Sequence, residues 1–183
     1  LQAGARAFTT GQSGQAIDLD GANDYVQVSP RLASGADFTF AAWVYWTGGS
    51  NWQRIFDFGD GTDRYLFLSP NASGSQLRFA IKNGGAEQQI SASLLPINTW
   101  THVAVTLSGN TGTLYVNGVA VATNTGVTIN PSDLGAKYNY LGKSQFTADP
   151  LFAGRLPRHC ANPGVKLRDG RSKAPAPRNN RRK

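Results

Sequence analysis

The sequence predicts an all-β protein, a two-sheet antiparallel β-sandwich of the jelly-roll kind, on three observations. Apolar and polar residues alternate with a period of two in short runs. These runs recur roughly every 8–12 residues, with Gly, Asn and Pro turns between them. No long stretch carries the 3.6-residue period of a helix. Aromatics at 10% and 21 glycines fit a turn-rich β protein. No internal repeat is present, which argues against a propeller.

The clearest element is the stretch Trp100 to Val121. Trp-Thr-His-Val-Ala-Val-Thr-Leu alternates, a Ser-Gly-Asn-Thr-Gly turn follows, and Thr-Leu-Tyr-Val alternates again before Asn117-Gly118. Asn-Gly is the strongest short hairpin signal, because both central residues of a type I′ turn need positive φ. Ahead of it, residues 1–14 lead into a first strand at Gln15–Asp20, and a turn at 21–24 precedes a second at Tyr25–Val28. Phe38–Trp46 has apolar residues on both faces, so it is expected to be covered on both sides or to line a cleft. Further strands are expected at Trp52–Phe58, Arg64–Leu68, Gln76–Ile81, Glu87–Ser91, Lys137–Gly142 and Phe152–Leu156, with a short one at Val127–Ile129. The segment Asn130–Gly135 is expected to be a loop with at most a helical turn.

Charge divides the chain. Ten of the 18 Lys and Arg residues, but one of the 11 acids, lie from Arg155 onward. Residues 1–154 are therefore slightly acidic, and the net charge of +7 belongs to the C-terminal tail. This argues against specific nucleic-acid recognition and leaves only salt-sensitive, nonspecific attraction to polyanions through the tail. Residues 157–183 offer almost nothing to bury and are expected to be disordered. The division is thus a sandwich at 1–156 and a disordered basic C-terminal tail at 157–183. The one cysteine, Cys160, lies in the tail, which leaves residues 1–154 without a disulfide or a cysteine metal site. No apolar run approaches the ~18–20 residues of a membrane span. The chain starts at Leu1 and has no Met, so it is expected to be a processed or excised piece of a longer protein.

Several separate motifs carry a resemblance: Ile17-Asp-Leu-Asp-Gly-Ala-Asn-Asp-Tyr-Val26, Phe38-Thr-Phe-Ala-Ala-Trp-Val44, Trp100-Thr-His-Val-Ala-Val105, Leu114-Tyr-Val-Asn-Gly118 and Tyr140-Leu-Gly-Lys143. Over about residues 8–155 the chain resembles the laminin-G-like branch of the concanavalin-A-like lectin/glucanase superfamily, in the style of its bacterial secreted members. The resemblance implies a jelly roll with one convex and one concave sheet, an extracellular setting, and binding of a polysaccharide, another glycan or a surface partner. It also implies a final strand after Leu156, where Pro157-Arg-His-Cys160 stands instead. Residues 157–183 have the Arg/Pro-rich composition of a GC-rich coding sequence read out of frame, so a frame-shift or fusion product is expected there. The expected consequence is an unpaired sheet edge open to self-association.

The chemistry points to binding. Glucanases of the superfamily use paired acids on one strand face, whereas the single glutamate here, Glu87, has no acid two residues to either side, and Asp57 and Asp60 would not share a face. His102 falls within a strand, and no nucleophile elbow, phosphate loop or zinc spacing occurs. Asp18, Asp20, Asn23 and Asp24 cluster at a turn, and modules resembling this one often hold a structural calcium (Ca2+) there. Asp20 and Asp24 are the expected ligands, against the plainer reading that they cap the turn. For a sugar, whose C–H faces stack on aromatics while amides and charged groups bond its hydroxyls, the candidates are Trp52, Arg54, Asp57, Tyr65, Arg78 and Gln88. Trp46 could join them or lie in the core, where Trp43 and Trp100 are also expected. The leading reading is a non-catalytic carbohydrate-binding module of a larger secreted protein. An adhesion or structural module contacting protein, or a divergent glycoside hydrolase, are the alternatives.

Overall fold

A computed structural model describes residues 7–157. The strands are β1 (Ala7–Thr10), β2 (Gln15–Asp20), β3 (Val26–Val28), β4 (Phe38–Trp46), β5 (Phe56–Gly59), β6 (Arg64–Ala72) and β7 (Gln76–Asn83), then β8 (Gln88–Ser93), β9 (Trp100–Ser108), β10 (Thr111–Val116), β11 (Val119–Asn124), β12 (Tyr138–Leu141) and β13 (Ala153–Pro157). They form two antiparallel sheets. One has seven strands in the order β1-β2-β13-β4-β9-β10-β11, the other six in the order β3-β12-β5-β6-β7-β8. The described residues contain no α-helix, only 3-10 turns at Pro30–Ala33 and Pro131–Leu134. No helix among them is long and apolar enough to cross a membrane.

Strand parity builds the core. In β4 the residues Phe38, Phe40, Ala42, Val44 and Trp46 are all buried, and they face Phe56 and Phe58 of β5 and Leu66, Leu68, Leu77 and Phe79 of the other sheet. Phe40 meets Phe56 across the sandwich with ring centroids 4.4 Å apart. A buried Val, Leu, Ile or Phe side chain contributes about 1.5–3 kcal/mol, so the interdigitated aliphatic and aromatic side chains together hold the layers.

The expected hairpin is present. Asn117 and Gly118 both take positive φ, at 51° and 81°, and the Asn117 side chain accepts a hydrogen bond from the His102 amide at 3.0 Å. The second face of β4 differs from expectation. Trp43 and Trp100 are half-buried rather than core, because odd-numbered β4 positions and even-numbered β9 positions point away from the other sheet. There Trp43 packs edge-on against His102, and Tyr45 against Trp100. Trp46 is core, 2% exposed, with its indole N–H donated to Gln53 at 3.0 Å. The segment 52–55 is loop rather than strand, and 127–129 forms no strand.

Strand β13 ends one residue past the expected domain boundary. It lies inside the seven-stranded sheet, pairing with β2 through Ala153–Pro157 and with β4 through Gly154 and Arg155. Gly154 has φ 143°, and a Cβ there would collide with the Tyr45 carbonyl oxygen, so β13 can approach β4 only with glycine at this position. The outer edges of the two sheets are β1, β11, β3 and β8. The expected tail, its frame shift and the missing final strand concern residues beyond Pro157 and lie outside the described residues.

Candidate functional site

Alternation turns a second set of side chains outward from the six-stranded sheet. While Leu66 and Leu68 point into the sandwich, Tyr65 and Phe67 of β6 and Ala80 of β7 occupy the opposite face. Two loops cover them, bringing Trp52 from the β4–β5 connection and Phe146 from the β12–β13 connection. Between these groups lies a pocket of about 200 Å³, lined by Trp52, Arg54, Tyr65, Phe67, Glu87, Phe146 and Asp149.

The aromatic walls are fixed by mutual packing. Tyr65 meets Phe146 edge-on at 5.6 Å and lies beside Phe67 at 5.6 Å, and Trp52 meets Phe67 edge-on at 6.4 Å. Trp52 has φ 72°, in the left-handed region that a bulky residue enters only under constraint. Two hydrogen bonds hold it there. Its amide donates to the Asn71 carbonyl at 2.8 Å, and its carbonyl accepts from Arg54 Nη1 at 2.6 Å. Strain of this kind costs about 1–3 kcal/mol and persists where the surroundings over-determine it.

Arg54 organises the floor. Its side chain is 2% exposed, and its guanidinium carbon sits 4.0 Å from the Phe67 ring centroid and 5.5 Å from that of Trp52. Nε donates to Asp57 Oδ2 at 3.3 Å and Nη2 to Asp149 Oδ2 at 2.8 Å. Asp57 is fully buried. Its Oδ2 also accepts from the Gln145 amide at 3.1 Å, while Oδ1 has no hydrogen-bond partner. Burial pushes the Asp57 carboxyl up to about 7, against the downward pull of Arg54 and of the hydrogen bonds from Gln145 and Ser144. Ser144 donates to Asp149 Oδ2 at 2.8 Å within the β12–β13 loop, and that loop is tied to the floor by the Arg54–Asp149 pair and by the Gln145 amide on Asp57. Tyr65 donates its hydroxyl to Glu87 Oε2 at 2.8 Å. Burial, and then Glu87, push the phenol upward, which keeps it a protonated donor.

The structure thus brings Trp52, Arg54, Asp57 and Tyr65 into one site, with Asp57 beneath the lining. Arg78 stands at the border, its guanidinium 5.6 Å from the Trp52 ring and bonded to Ser91 and Gln76. Gln88 is outside the lining. Its amide accepts from the Thr128 and Ile129 amides at 2.8 and 3.1 Å and donates to the Thr128 hydroxyl at 2.8 Å, tying down the segment after β11. Three lining residues, Phe67, Phe146 and Asp149, were not singled out from the sequence, and Glu87 was weighed there only as a lone acid, not as a binding residue. Phe67 was within reach, since it shares a strand face with Tyr65. Phe146 and Asp149 lie in a loop with no periodic signal.

At the acidic turn, Asp20 Oδ1 accepts from the Ala22 and Asn23 amides at 2.8 and 3.2 Å, a turn-capping role. Asp24 is buried, and its Oδ1 lacks a hydrogen-bond partner, which leaves one hard oxygen for a cation. Among the described residues no group of three His, Cys, Asp or Glu side chains is gathered to hold a metal ion. A calcium ion here would therefore need backbone carbonyls beside the two expected carboxylates, Asp20 and Asp24.

Comparison with known proteins bears on the fold. Domain 4 of AbnA, a GH43 extracellular arabinanase from Geobacillus stearothermophilus in complex with arabinotriose, superposes with a TM-score of 0.68 at 20% identity, covering 82% of this chain and 71% of that one. The CBM40 of the Ruminococcus gnavus IT-sialidase gives 0.60 at 16% identity, covering 76% and 92%. Domains LG4-5 of the mouse laminin alpha1 chain give 0.57 at 13% identity, covering 77% and 39%. No curated protein sequence matches. The profile named Laminin_G_3, for the concanavalin A-like lectin/glucanases superfamily, matches residues 20–158. With the two-sheet architecture and the motifs along it, that match shows that the chain belongs to the concanavalin A-like lectin/glucanases superfamily.

Proposed function

We propose that this domain is a non-catalytic carbohydrate-binding module of an extracellular protein, and that it holds its ligand in the pocket between Trp52, Tyr65, Phe67 and Phe146. The observation that carries the reading is a pocket with aromatic walls and carboxylates held ready at its floor and rim. Aromatic faces stack on the C–H faces of a sugar, and fixed acceptors take its hydroxyl protons. The saccharide ligands named for the AbnA domain and for a bound form of the R. gnavus module support it by likeness of fold.

A hydrolytic role is disfavoured by the placing of the acids. A glycosidase needs a protonated carboxyl within reach of the leaving oxygen. The carboxyl that burial favours in its protonated form, Asp57, is fully buried beneath the lining, while Asp149 is ion-paired with Arg54 and Glu87 accepts a hydrogen bond from the Tyr65 hydroxyl. The test is calorimetric titration with oligosaccharides, alongside an assay for reducing ends released from polysaccharides. Saccharide binding that falls at least about tenfold in Trp52→Ala, without release of reducing ends, is the expected result. Hydrolysis, or binding indifferent to Trp52→Ala, would refute it.

A further inference from the structure

We propose that the pocket selects an uncharged saccharide ring and turns away carboxylated and sulfated glycans, an inference that rests on the carbohydrate reading above. The argument comes from where the charges of the lining are spent. Among the described residues that line the pocket Arg54 is the only cation, and it is the group that would receive an acidic sugar. Its Nε, Nη1 and Nη2 already donate to Asp57, the Trp52 carbonyl and Asp149, and its side chain is 2% exposed. The guanidinium face lies against Phe67. Its remaining Nη1 and Nη2 hydrogens are buried with the side chain, so an incoming carboxylate would have to compete with Asp149 and Asp57 for the same charge.

What the pocket does offer is acceptors. Asp149 is 19% exposed and uses Oδ2 for Arg54 and Ser144, which leaves Oδ1 for a ligand. Glu87 lies at the exposed rim and uses Oε2 for Tyr65. Two acceptor oxygens suit hydroxyl donors. A carboxylate or sulfate among them would meet like charge in a partly desolvated space, at a cost of about 100-fold in affinity. A free amine would gain mainly the exposed Glu87, worth about fivefold at most. At about 200 Å³ the pocket is smaller than the roughly 300–1,000 Å³ of a drug-sized site, which suits a single ring. Among the described residues Arg78 stands beside Trp52 with no carboxylate bonded to it, but it lies outside the lining and is shared with Ser91 and Gln76.

The test uses the full chain on an immobilised panel of neutral, sialylated, uronic-acid, sulfated and free-amine glycans at ~0.15 M salt. The basic residues after Pro157 will attract acidic glycans by charge alone, so pocket binding is defined as capture lost in Trp52→Ala or Phe146→Ala, with both variants checked for wild-type melting behaviour. The expected result is pocket binding of neutral glycans, with free-amine glycans within about fivefold of them and acidic glycans about 100-fold weaker. In addition, Glu87→Gln at the exposed rim should raise the ratio of acidic to neutral pocket binding by roughly two- to fivefold. Pocket binding that favours sialylated, uronic or sulfated glycans overturns the proposal, as does a free-amine preference well above about fivefold or an unchanged ratio in Glu87→Gln. Absence of pocket binding to every glycan overturns the carbohydrate reading itself, which separates the two failures.

Discussion

Asp57 stands under opposing demands. Desolvation favours its neutral form, while Arg54, Ser144 and the Gln145 amide favour the anion, and burial dominates. The folded carboxyl therefore holds its proton up to about pH 7, whereas the unfolded one releases it near 3.8. Between those values the folded state binds more protons, so folding is favoured by acid. The contribution is fully present below about pH 4 and is lost as the pH rises through about 7, with a slope of at most about 1.4 kcal/mol per pH unit. Asp57→Asn keeps the shape and cannot titrate. Urea unfolding of both proteins from pH 4 to 8 should show the wild type losing stability relative to Asp57→Asn as pH rises. A difference independent of pH would show that Asp57 does not titrate in this range. Arg54 and Asp57 could be picked out from the sequence because they sit in a Trp-Gln-Arg-Ile-Phe-Asp run of mixed aromatic and charged character. Their dependence on each other could not, because it follows from burial.

At the scale of elements, the strands were legible wherever one face was buried. Phe38–Trp46 forms with its expected ends, and Asn117-Gly118 sets the hairpin turn. The loops were less so. Residues 52–55 are expected to open the strand that ends at Phe58, but Trp52 takes φ 72° and leaves the sheet, and this departure is what sets its ring against Phe67. The acidic turn between β2 and β3 is the element where a metal is proposed. Asp20 already closes the turn through the Ala22 and Asn23 amides, while the buried Asp24 has an oxygen without a partner. If calcium is bound, it relieves that buried oxygen and stabilises the folded state by mass action. Addition of EDTA to the protein purified with calcium should then lower the melting temperature by several degrees, and Asp24→Asn should abolish the response. Equal melting with EDTA and with excess calcium would leave Asp20 as a turn cap and nothing more.

For the whole molecule, the sandwich is closed by contacts distant in sequence. Arg54 reaches Asp149 across 95 residues and Asn139 reaches the Ser29 carbonyl across 110. A periodic pattern reports which face of a strand is buried, but not which loop will cover the other face. That is why Phe146 and Asp149, two of the seven lining residues, could not be read from the sequence. The same dependence on distant contacts gives β13 its weight. This last strand lies between β2, near the start of the chain, and β4, and so joins the beginning and end of the domain in one sheet. It also begins directly after the loop that carries Phe146 and Asp149, and the Ala153 amide donates to the side chain of Gln53, two residues before which stands Asn51 of the Trp52 loop. Displacing β13 should therefore loosen the sheet and the pocket together. Gly154 is the point of closest approach, where a side chain would enter the Tyr45 carbonyl and force a residue with φ 143°. Gly154→Val combines that collision with backbone strain and should cost at least about 3 kcal/mol, or roughly 6–12 °C in melting temperature for a chain of this size. In the same variant the Trp52 fluorescence, followed with the other tryptophans replaced by Phe, should change in the same transition as the far-ultraviolet β signal. Separate transitions would show that the pocket loops are held without β13, and unchanged melting would show that β13 is not what closes the sheet.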